Sequence, residues 1–383
     1  MSASEPIVRL AARGDGVTES GRFVPLTAPG DIVAPNGAVT PGPHHQVPLC
    51  RHFPECGGCQ LQHVDDAAYA DYLTDRIASA LAAQGIAAPD ILAPHLSPPR
   101  SRRRAALKAA GGSVGFNAAA SHRIVDMREC HILRPELFAL VAPLRRLLTG
   151  RAGAAMTLAD QGVDLVLEGV SAEGLAQAEA MTGFARAHGL ARLSLDDGYG
   201  AQTIWEPEPV TITLSGTPVA LPQNAFLQAT AQGEAALVAA VREAVGEARI
   251  VADLFAGLGT FALALEGKIY AAEAARDAAL ALKGAGKGVV VEHRDLFRRP
   301  LDASELDRFE AIVLDPPRAG AREQTALLAA SSVARIAYVS CNPATFARDA
   351  RTLVDGGFGL AWVKPVGQFR WSTHVELAAC FSR

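Results

Sequence analysis

The residue of this chain best suited to covalent chemistry is Cys341, which follows the apolar run Ile336–Val339 and precedes an Asn-Pro pair. A cysteine at the end of a buried strand lies where parallel-sheet proteins place their chemistry. Its thiolate could add to C6 of a pyrimidine, after which C5 can attack an electrophilic methyl group and the thiol can later leave. The alternative is an inert core cysteine. We predict that Cys341 is the nucleophile of an enzyme that methylates C5 of a pyrimidine in nucleic acid.

Restoring the pyrimidine after methyl transfer requires a base, for which Glu376 is the candidate. It interrupts the apolar run Val375–Ala378, where an unpaired charge is costly, so burial should raise its pKa toward a useful range. A solvated glutamate at a sheet edge is the alternative. Asp315 ends another apolar run and is followed by Pro-Pro-Arg. We expect Asp315 to help hold the cofactor or the target pyrimidine.

A glycine-rich turn at Asp253–Thr260 follows an apolar strand and predicts a nucleotide-like cofactor. Glycines let a ligand approach the backbone, and Glu273 ends the next strand about twenty residues later, where an acid can hold ribose hydroxyls. A nicotinamide dinucleotide is the alternative, although Ala262 replaces the third glycine of its fingerprint. Together with Asp315, the pattern favours S-adenosylmethionine.

Six cysteines occur, and four of them form a spaced set. In a chain without secretory features, such spacing indicates a metal more than disulfides. Three close thiols and one distant thiol can hold zinc or a four-iron cluster, and the spacing alone does not choose. Cys380 lies in an apolar run and is expected to be a core residue. The spaced set consists of Cys50, Cys56, Cys59 and Cys130.

From about Pro222 onward, strand and helix patterns alternate, which predicts a parallel sheet covered on both faces. The fold class is therefore α/β: a Rossmann-like class I methyltransferase domain, preceded by an α+β central domain and a small N-terminal β unit. A helix is expected over Ala231–Val245. The expected strands are Ile250–Phe255, Ile269–Glu273, Val289–Glu292, Ala311–Leu314, Arg335–Ser340, Leu360–Lys364 and Val375–Phe381.

The predicted division is into residues 1–48, 49–220 and 221–383. The first part should contain three or four short strands and end in a linker rich in Pro, Gly and His. The second should contain helices and short strands in mixed order. Its helices are expected over Ala67–Gln84, Pro135–Thr149 and Ala172–Ala187, and its strands near Ser113–Phe116, Ile124–Met127, Ala191–Leu195 and Val210–Leu214.

Composition and charge describe an ordinary soluble protein of two or three domains, with 383 residues, 49% of them hydrophobic and 20% charged. Without a run of about 18 apolar residues or a secretory signal, we expect a cytoplasmic monomer with no membrane partner. The net charge of −4 argues against nonspecific coating of nucleic acid, yet a local basic strip exists. This strip is either a solvated surface or a phosphate-binding site. It consists of Arg100, Arg102, Arg103, Arg104 and Lys108.

Together these motifs resemble the RNA uracil-5-methyltransferases of the TrmA/RumA type, and particularly the iron–sulfur branch that methylates 23S ribosomal RNA. The resemblance covers most of the chain. It implies that Cys341 attacks C6, that Glu376 removes the C5 proton, and that the four spaced cysteines hold a [4Fe-4S] cluster. Residues 5–35 resemble a TRAM domain, a small RNA-binding β-barrel.

The resemblance also implies ligand contacts. Phe226 matches an aromatic residue that stacks near the flipped base, and the basic strip with its Arg102, Arg103 and Arg104 matches the RNA-facing central domain. The positions that match contacts to S-adenosylmethionine are Gln228, Phe255, Thr260, Glu273, Asp295 and Asp315.

The chain departs from this family in three places. The N-terminal unit is short, Thr230 stands where the family often has asparagine, and the helix after Glu273 lacks its usual asparagine. Two alternatives remain open: the same chemistry on a tRNA uridine, and a noncatalytic or redox-sensing iron–sulfur protein that binds RNA. A DNA cytosine methyltransferase is less favoured, because its nucleophile usually lies in a Pro-Cys pair.

Overall fold

The structure is a computed structural model that describes residues 4–87 and 89–383. Three large sheets follow one another along the chain, with five, six and nine strands. Within the described ranges, no helix combines the length and the apolar character that crossing a membrane requires.

The first sheet is a small antiparallel unit with strand order β3-β2-β1-β4-β5. It confirms the N-terminal β unit, with five strands rather than the three or four expected. The segment after this sheet is tied to it by His45, whose Nδ1 lies 2.7 Å from the buried carboxylate of Asp31. The strands are β1 Glu5–Leu10, β2 Gly16–Thr18, β3 Phe23–Val24, β4 Ile32–Val33 and β5 Val39–Thr40.

A long helix and two short strands come next and pack on the last sheet of the molecule. The helix begins after Asp65, whose side chain accepts a hydrogen bond from the backbone N–H of Ala68 and caps the helix N-terminus. Its buried face meets the sheet through residues such as Tyr69 and Leu73. These elements are α1 Asp66–Ala83, β6 Asp90–Ile91 and β7 His95–Leu96.

The second sheet carries the basic strip at its start and has strand order β13-β12-β11-β10-β8-β9. Helices α2 and α4 cover it, and a separate hairpin, β14 with β15, follows. These elements are β8 Arg104–Ala110, β9 Ser113–Gly115, α2 Pro135–Ala139, α3 Val141–Leu147, β10 Ala152–Ala159, β11 Gly162–Glu168, α4 Gly174–Ala187, β12 Leu190–Asp196, β13 Gln202–Trp205, β14 Thr211–Leu214 and β15 Thr217–Ala220.

Strands β8, β10, β11, β13 and β15 of this region were not predicted, and two of the predicted elements differ in the structure. The helix expected over Pro135–Thr149 is two helices that meet at Leu140, and Pro143, which has no N–H to donate, lies in the first turn of the second. The segment Ile124–Met127 is not a regular strand. It runs beside β9 and donates from Val125 N to Phe116 O at 2.9 Å.

The third sheet has strand order β18-β17-β16-β19-β20-β22-β21-β6, with β7 also pairing with β21. The strands from β16 to β20 pair in parallel, and β22 runs antiparallel between β20 and β21. This is the predicted class I methyltransferase sheet, extended at one edge by β6 and β7. Its strands are β16 Ile250–Leu254, β17 Lys268–Glu273, β18 Val290–His293, β19 Ala311–Leu314, β20 Arg335–Ser340, β21 Gly359–Gly367 and β22 Glu376–Ser382.

Helices cover both faces of this sheet, as its continuous apolar strands require. On one face α1 packs against α9, and α8 packs beside α9. On the other face α5 packs against β20 and β22. These helices are α5 Ala231–Val245, α6 Arg276–Gly284, α7 Ala303–Leu306, α8 Arg322–Ala330 and α9 Pro343–Asp355.

Candidate active site

The candidate active site lies at the carboxyl edge of the parallel strands, where the strand order reverses between β16 and β19. Open α/β sheets bind their ligands at such a switch point. Asp253 is on β16, Asp315 follows β19, and Cys341 follows β20. Glu376 begins the antiparallel strand β22 and so reaches the same edge.

A tight turn from β20 into α9 sets the position of Cys341. Asn342 caps the helix by accepting from Ala344 N at 3.1 Å, and Pro343 starts the helix without an unpaired N–H. Ser340 Oγ accepts from Asn342 N at 3.1 Å. The turn leaves Cys341 partly exposed, as a nucleophile that must meet a substrate has to be.

Strand pairing brings Glu376 beside Cys341. Ser340 pairs with Leu377 at the end of the antiparallel ladder. One position further along the same register, Cys341 follows Ser340 and Glu376 precedes Leu377, so the two side chains are neighbours. Glu376 is buried, and burial followed by the nearby Asp315 raises its pKa to about 8, while the side-chain amide of Gln368 beside it lowers it. A carboxyl group with such a pKa can act as a base near neutral pH.

The thiol of Cys341 is held in its protonated form. Burial raises its pKa to about 11, with further contributions from the carboxylates of Glu376 and Asp315, while Arg318 lowers it. The backbone of Arg318 is fixed, because its carbonyl accepts from Asn342 Nδ2 and Thr345 Oγ1, each at 3.2 Å. The thiol therefore has to pass its proton to a neighbouring group before it attacks.

Two further acids share this edge. Burial raises the pKa of Asp315 to about 7. Burial, together with Asp315 and Glu273, raises the pKa of Asp253 to about 8. Asp253 is completely buried; its Oδ2 accepts from Ala262 N at 2.8 Å, whereas its Oδ1 has no partner in the described part of the chain. Asp253 was not predicted as a site residue, although an acid at the end of an apolar strand was a usable signal in the sequence.

The glycine-rich turn has the backbone form that a close ligand needs. Gly259 has φ +89°, and a Cβ there would lie 2.3 Å from Leu282 Cδ1. Glu273 holds the turn, because its Oε2 accepts from Gly257 N at 2.8 Å and its Oε1 from Ala275 N at 2.6 Å. Each oxygen retains capacity for a second donor, so a ribose hydroxyl can still be accommodated.

Three more predicted cofactor residues lie in this turn or after the neighbouring strand β18. Phe255 has φ +65°, and its ring centre lies 5.3 Å from that of Phe297. Thr260 is partly exposed within the turn. Asp295 caps the turn after β18 by accepting from Phe297 N at 3.0 Å. Their contacts with S-adenosylmethionine stay predictions.

Gln228 reaches the site through a partner that sequence reasoning missed. Its Oε1 accepts from Gln368 Nε2 at 2.7 Å, and Gln368 Oε1 accepts from Ala229 N at 2.9 Å. Gln368 thus links the predicted cofactor residue Gln228 to Glu376. Thr230, one of the departures from the family pattern, caps α5 by accepting from Gly233 N at 2.9 Å.

The arginines predicted to contact RNA have different surroundings. Arg104 lies over the ring of Phe226 at 5.6 Å, and Phe226 is 66% exposed, as a platform for a base would be. The prediction that Arg103 contacts RNA is corrected by the structure. Arg103 is buried, donates to the carbonyl of Gln228 at 3.0 Å and forms an ion pair with Glu234. Its guanidinium is therefore not free to bind a phosphate.

The four spaced cysteines line one pocket, which we call the cysteine cavity. None of them forms a disulfide, and burial raises the pKa of each thiol, that of Cys59 to about 12. The described residues contain no group of three or more His, Cys, Asp or Glu side chains placed to hold a metal ion. A four-iron cluster binds one thiolate at each iron, so its ligands surround a cage instead of meeting at one point. The shared cavity fits that donor set, and the cluster stays a prediction.

The cysteine segment also touches the loop that precedes the candidate base. We call residues 368–375, between β21 and β22, the base loop. Gln60 N and Leu61 N, directly after Cys59, both donate to Trp371 O at 2.8 Å. The hydroxyl of the buried Tyr69 lies 3.1 Å from Phe369 O. The base loop is therefore held by elements from the first hundred residues of the chain.

Comparisons with known proteins agree with this arrangement. The profile of a family described as tRNA (Uracil-5-)-methyltransferase matches residues 287–383. The chain is 55% identical to an uncharacterized RNA methyltransferase of Zymomonas mobilis, over 98% of this chain and 99% of that one. It is 30% identical to the 23S rRNA (uracil(1939)-C(5))-methyltransferase RlmD of Pectobacterium atrosepticum, over 90% of this chain and 81% of that one.

Among solved structures, the fold is similar to that of the Pyrococcus abyssi tRNA (uracil-54, C5)-methyltransferase in complex with S-adenosyl-L-homocysteine. The TM-score is 0.75 with 20% identity, and the match covers 99% of each chain. At that identity the likeness concerns the fold.

Proposed function

The chain belongs to the RNA uracil-5-methyltransferase family, and on that premise we propose that it methylates C5 of one uridine in 23S ribosomal RNA through a covalent bond between Cys341 and C6. Methylation of RNA uracil with S-adenosylmethionine is the activity of the family. The ribosomal target and the covalent route are our additions. The observation that carries the route is the pairing that sets Cys341 abreast of the buried Glu376, with Asp315 beside both.

The first step is deprotonation of Cys341. Its thiol faces two carboxyl groups, of which Asp315, with its pKa raised to about 7, accepts the thiol proton. Glu376, with its pKa raised to about 8, is thereby left free to take the C5 proton in the second step. The Sγ atom then bonds to C6 of the uracil, and the electron pair of the C5–C6 double bond moves toward C5 and O4. S-adenosylmethionine, when bound, supplies an electrophilic methyl group for C5.

The second step regenerates the thiolate. Glu376 takes the proton from C5, the electrons of the C–H bond restore the C5–C6 double bond, and the bond from C6 to Sγ breaks. Gln368 orients this base, because its hydrogen bonds to Gln228 and Ala229 fix it next to Glu376. The proton count balances, since the thiol and C5 each lose one proton and the methyl group replaces the latter.

The supporting groups follow from their positions. S-adenosylmethionine would lie against the glycine turn, held by Gln228, Phe255, Thr260, Glu273, Asp295 and Asp315. The [4Fe-4S] cluster would be held by the thiols of the cysteine cavity, away from the reacting atoms. The RNA would approach over Phe226 and the half-buried Arg102 and Arg104, and a uridine within folded RNA must leave its stack to reach Cys341. A cytoplasmic location, a monomeric state and three domains complete the proposal.

Transfer of labelled methyl groups tests the target. S-adenosylmethionine with a labelled methyl group would be incubated with the full chain and with separated 23S rRNA or tRNA from cells lacking this protein. Nucleoside mass spectrometry would then identify the product. We expect 5-methyluridine in 23S rRNA at one position. A signal in tRNA alone would keep the chemistry and overturn the ribosomal target. No product in either RNA, with cofactor bound, would favour a noncatalytic RNA-binding protein.

A further inference from the structure

A second pocket lies between the basic strip and the base loop, and we call it the arginine cavity. Its wall includes Arg102 from the strip with its neighbour Ser101, and Gln368, Phe369 and Arg370 from the loop. Gln368 also contacts the candidate base Glu376. The cavity is therefore a direct neighbour of the active site, and neither the nucleophile, the base nor the predicted cofactor contacts require a cavity there.

Arg102 is preorganised to bind an anion in this cavity. Its guanidinium carbon lies near two aromatic rings, 5.8 Å from the centre of Phe116 and 5.3 Å from that of Phe369. Its Nε donates to Arg104 O at 2.9 Å. Among the described residues, no carboxylate lies within ion-pair distance of Arg102. The buried Arg103, Arg192 and Arg294 each pair with a carboxylate. A terminal nitrogen of the half-buried Arg104 donates to Leu227 O at 2.9 Å. Within the described ranges the terminal nitrogens of Arg102 donate no hydrogen bond, so they can bind a bidentate anion beside the two rings.

Arg370 adds a second cation to the wall. Its terminal nitrogens are occupied, one by the carboxylate of Asp66 and one by Ser97 O at 3.1 Å. Its Nε is buried and has no partner in the described ranges. A buried donor without a partner is costly, so the site is incomplete without an acceptor.

We propose that the arginine cavity binds one backbone phosphodiester of the RNA substrate, next to the target uridine, with Arg102 as its principal donor. This inference rests on the proposed function. Phosphate oxygens match the fork of Arg102, and such contacts fix the register of a nucleic acid without reading its sequence. Because the base loop forms one wall of the cavity, a phosphate bound there would set the uridine against Cys341 and Glu376.

The cysteine cavity offers a competing role for Arg102. Cys130 and Cys59 lie near its guanidinium, so the arginine could instead balance the charge of ionised thiolates. The two roles make different predictions. A phosphate donor changes the salt dependence of RNA binding, whereas a partner of the thiolates changes the retention of iron.

Substitution of Arg102 by Gln in the full chain, purified anaerobically, tests the proposal. The matched control is Arg308→Gln, because Arg308 also donates from Nε to a carbonyl, that of Glu305, and lies 5.6 Å from the ring centre of Phe309, at the opposite edge of the sheet. Filter binding would follow an RNA fragment that contains the methylated uridine over a series of salt concentrations. We expect R102Q to bind about tenfold more weakly and to lower the salt slope by about 0.7, the value for one phosphate of a single strand. R308Q should match the wild type.

A neutral linkage locates the phosphate. Two RNAs would each carry a single neutral methylphosphonate, one on the 5′ side and one on the 3′ side of the uridine. The adjoining 2′-hydroxyl would be removed in every RNA compared. The affinity of each RNA would be measured for the wild type and for R102Q. One linkage should weaken wild-type binding and abolish the difference between the two proteins. Arg102→Lys, which keeps the charge without the fork, should show an intermediate affinity and serves if R102Q does not fold.

The outcomes separate the two proposals. An R102Q salt slope equal to that of the wild type, with wild-type methylation intact, overturns the phosphate site and leaves the proposed function standing. Loss of iron from R102Q with an unchanged slope assigns Arg102 to the cysteine cavity and also overturns it. A wild type that methylates no RNA removes the proposed function and this inference together.

Discussion

The carboxyl edge of the third sheet and the cysteine cavity both bring ionisable buried groups together, but the two sites are formed by different kinds of backbone structure. The acids and the thiol of the edge stand at the ends of regular strands, whose ladders fix them. The four cysteines of the cavity lie on turns and irregular segments. The edge should therefore keep its geometry without a ligand, whereas the cavity should depend on what its thiols hold.

The largest effect should come from Cys341→Ala. Removal of the nucleophile should lower methylation at least about a thousandfold, because no other thiol lies at the edge to replace it. The melting temperature should change by no more than about 2 °C, since Cys341 is partly exposed and packs in no core cluster. Formation of 5-methyluridine and thermal unfolding measure the two parts. Turnover close to that of the wild type would contradict the covalent route.

Glu376→Gln should arrest the reaction after methyl transfer. The amide fills the same space but cannot take the C5 proton, so kcat should fall about a hundredfold or more and RNA should accumulate on Cys341. A denaturing gel would show a slowly migrating adduct. The double variant with Cys341→Ala is the control and should show none. Absence of the adduct in the single variant would remove Glu376 as the base.

Cys59→Ser should affect the cavity rather than the edge. The buried Cys59 is a predicted ligand, so its loss should release iron and lower the melting temperature by roughly 5 °C or more. Cys380→Ser is the matched control, because Cys380 is equally buried but lies in β22, outside the cavity. It should change stability while retaining iron. Equal iron content in both variants would show that the cavity does not hold the metal.

The smallest effect concerns pH. Burial raises the pKa of Asp253, Asp315 and Glu376, so the folded chain holds these protons more tightly than the unfolded chain. Raising the pH from about 5 to about 8 should therefore lower the stability of the ligand-free protein, because the unfolded state releases protons first. Melting temperatures should fall by a few degrees over this range.

Two additions sharpen the pH experiment. Asp253→Asn, which removes one titrating group, should flatten the dependence. S-adenosylmethionine should restore more stability at high pH than S-adenosylhomocysteine, because only the former carries a positive sulfonium near the ionised carboxylates. A dependence that is unchanged in the Asp253 variant would show that this acid does not titrate in the range.

The sequence predicted the carboxyl edge of the third sheet better than the residues around the arginine cavity or the strands of the second sheet. Apolar, β-branched runs such as Arg335–Ser340 mark parallel strands unambiguously, and the residues that follow them were found with the strands. The strands Ala152–Ala159 and Gly162–Glu168 were missed, the first because its alanine-rich sequence carries little β propensity.

Contacts between distant parts of the chain were the least predictable. Gln368 is part of the site because its side chain donates a hydrogen bond to that of Gln228, which lies 140 positions away in the sequence. No local sequence pattern predicts that contact. Arg103 lies in a basic stretch of sequence that predicts a phosphate contact. In the structure it is a buried partner of Glu234, which no local pattern indicates. Local patterns identify elements, whereas partners across the fold are set by packing.

The strands β6 and β7 have a practical consequence for handling this protein. They cover β21, which would otherwise be the edge of the third sheet, and they come from residues 90–96, far before the rest of that sheet. A recombinant fragment that starts near residue 221 would leave the N–H and C=O groups of β21 open to other chains. Such a fragment should aggregate or exchange strands with its copies, and its failure in the test tube would say nothing about catalysis. Complementation with a separate piece that spans residues 60–100 should restore its solubility.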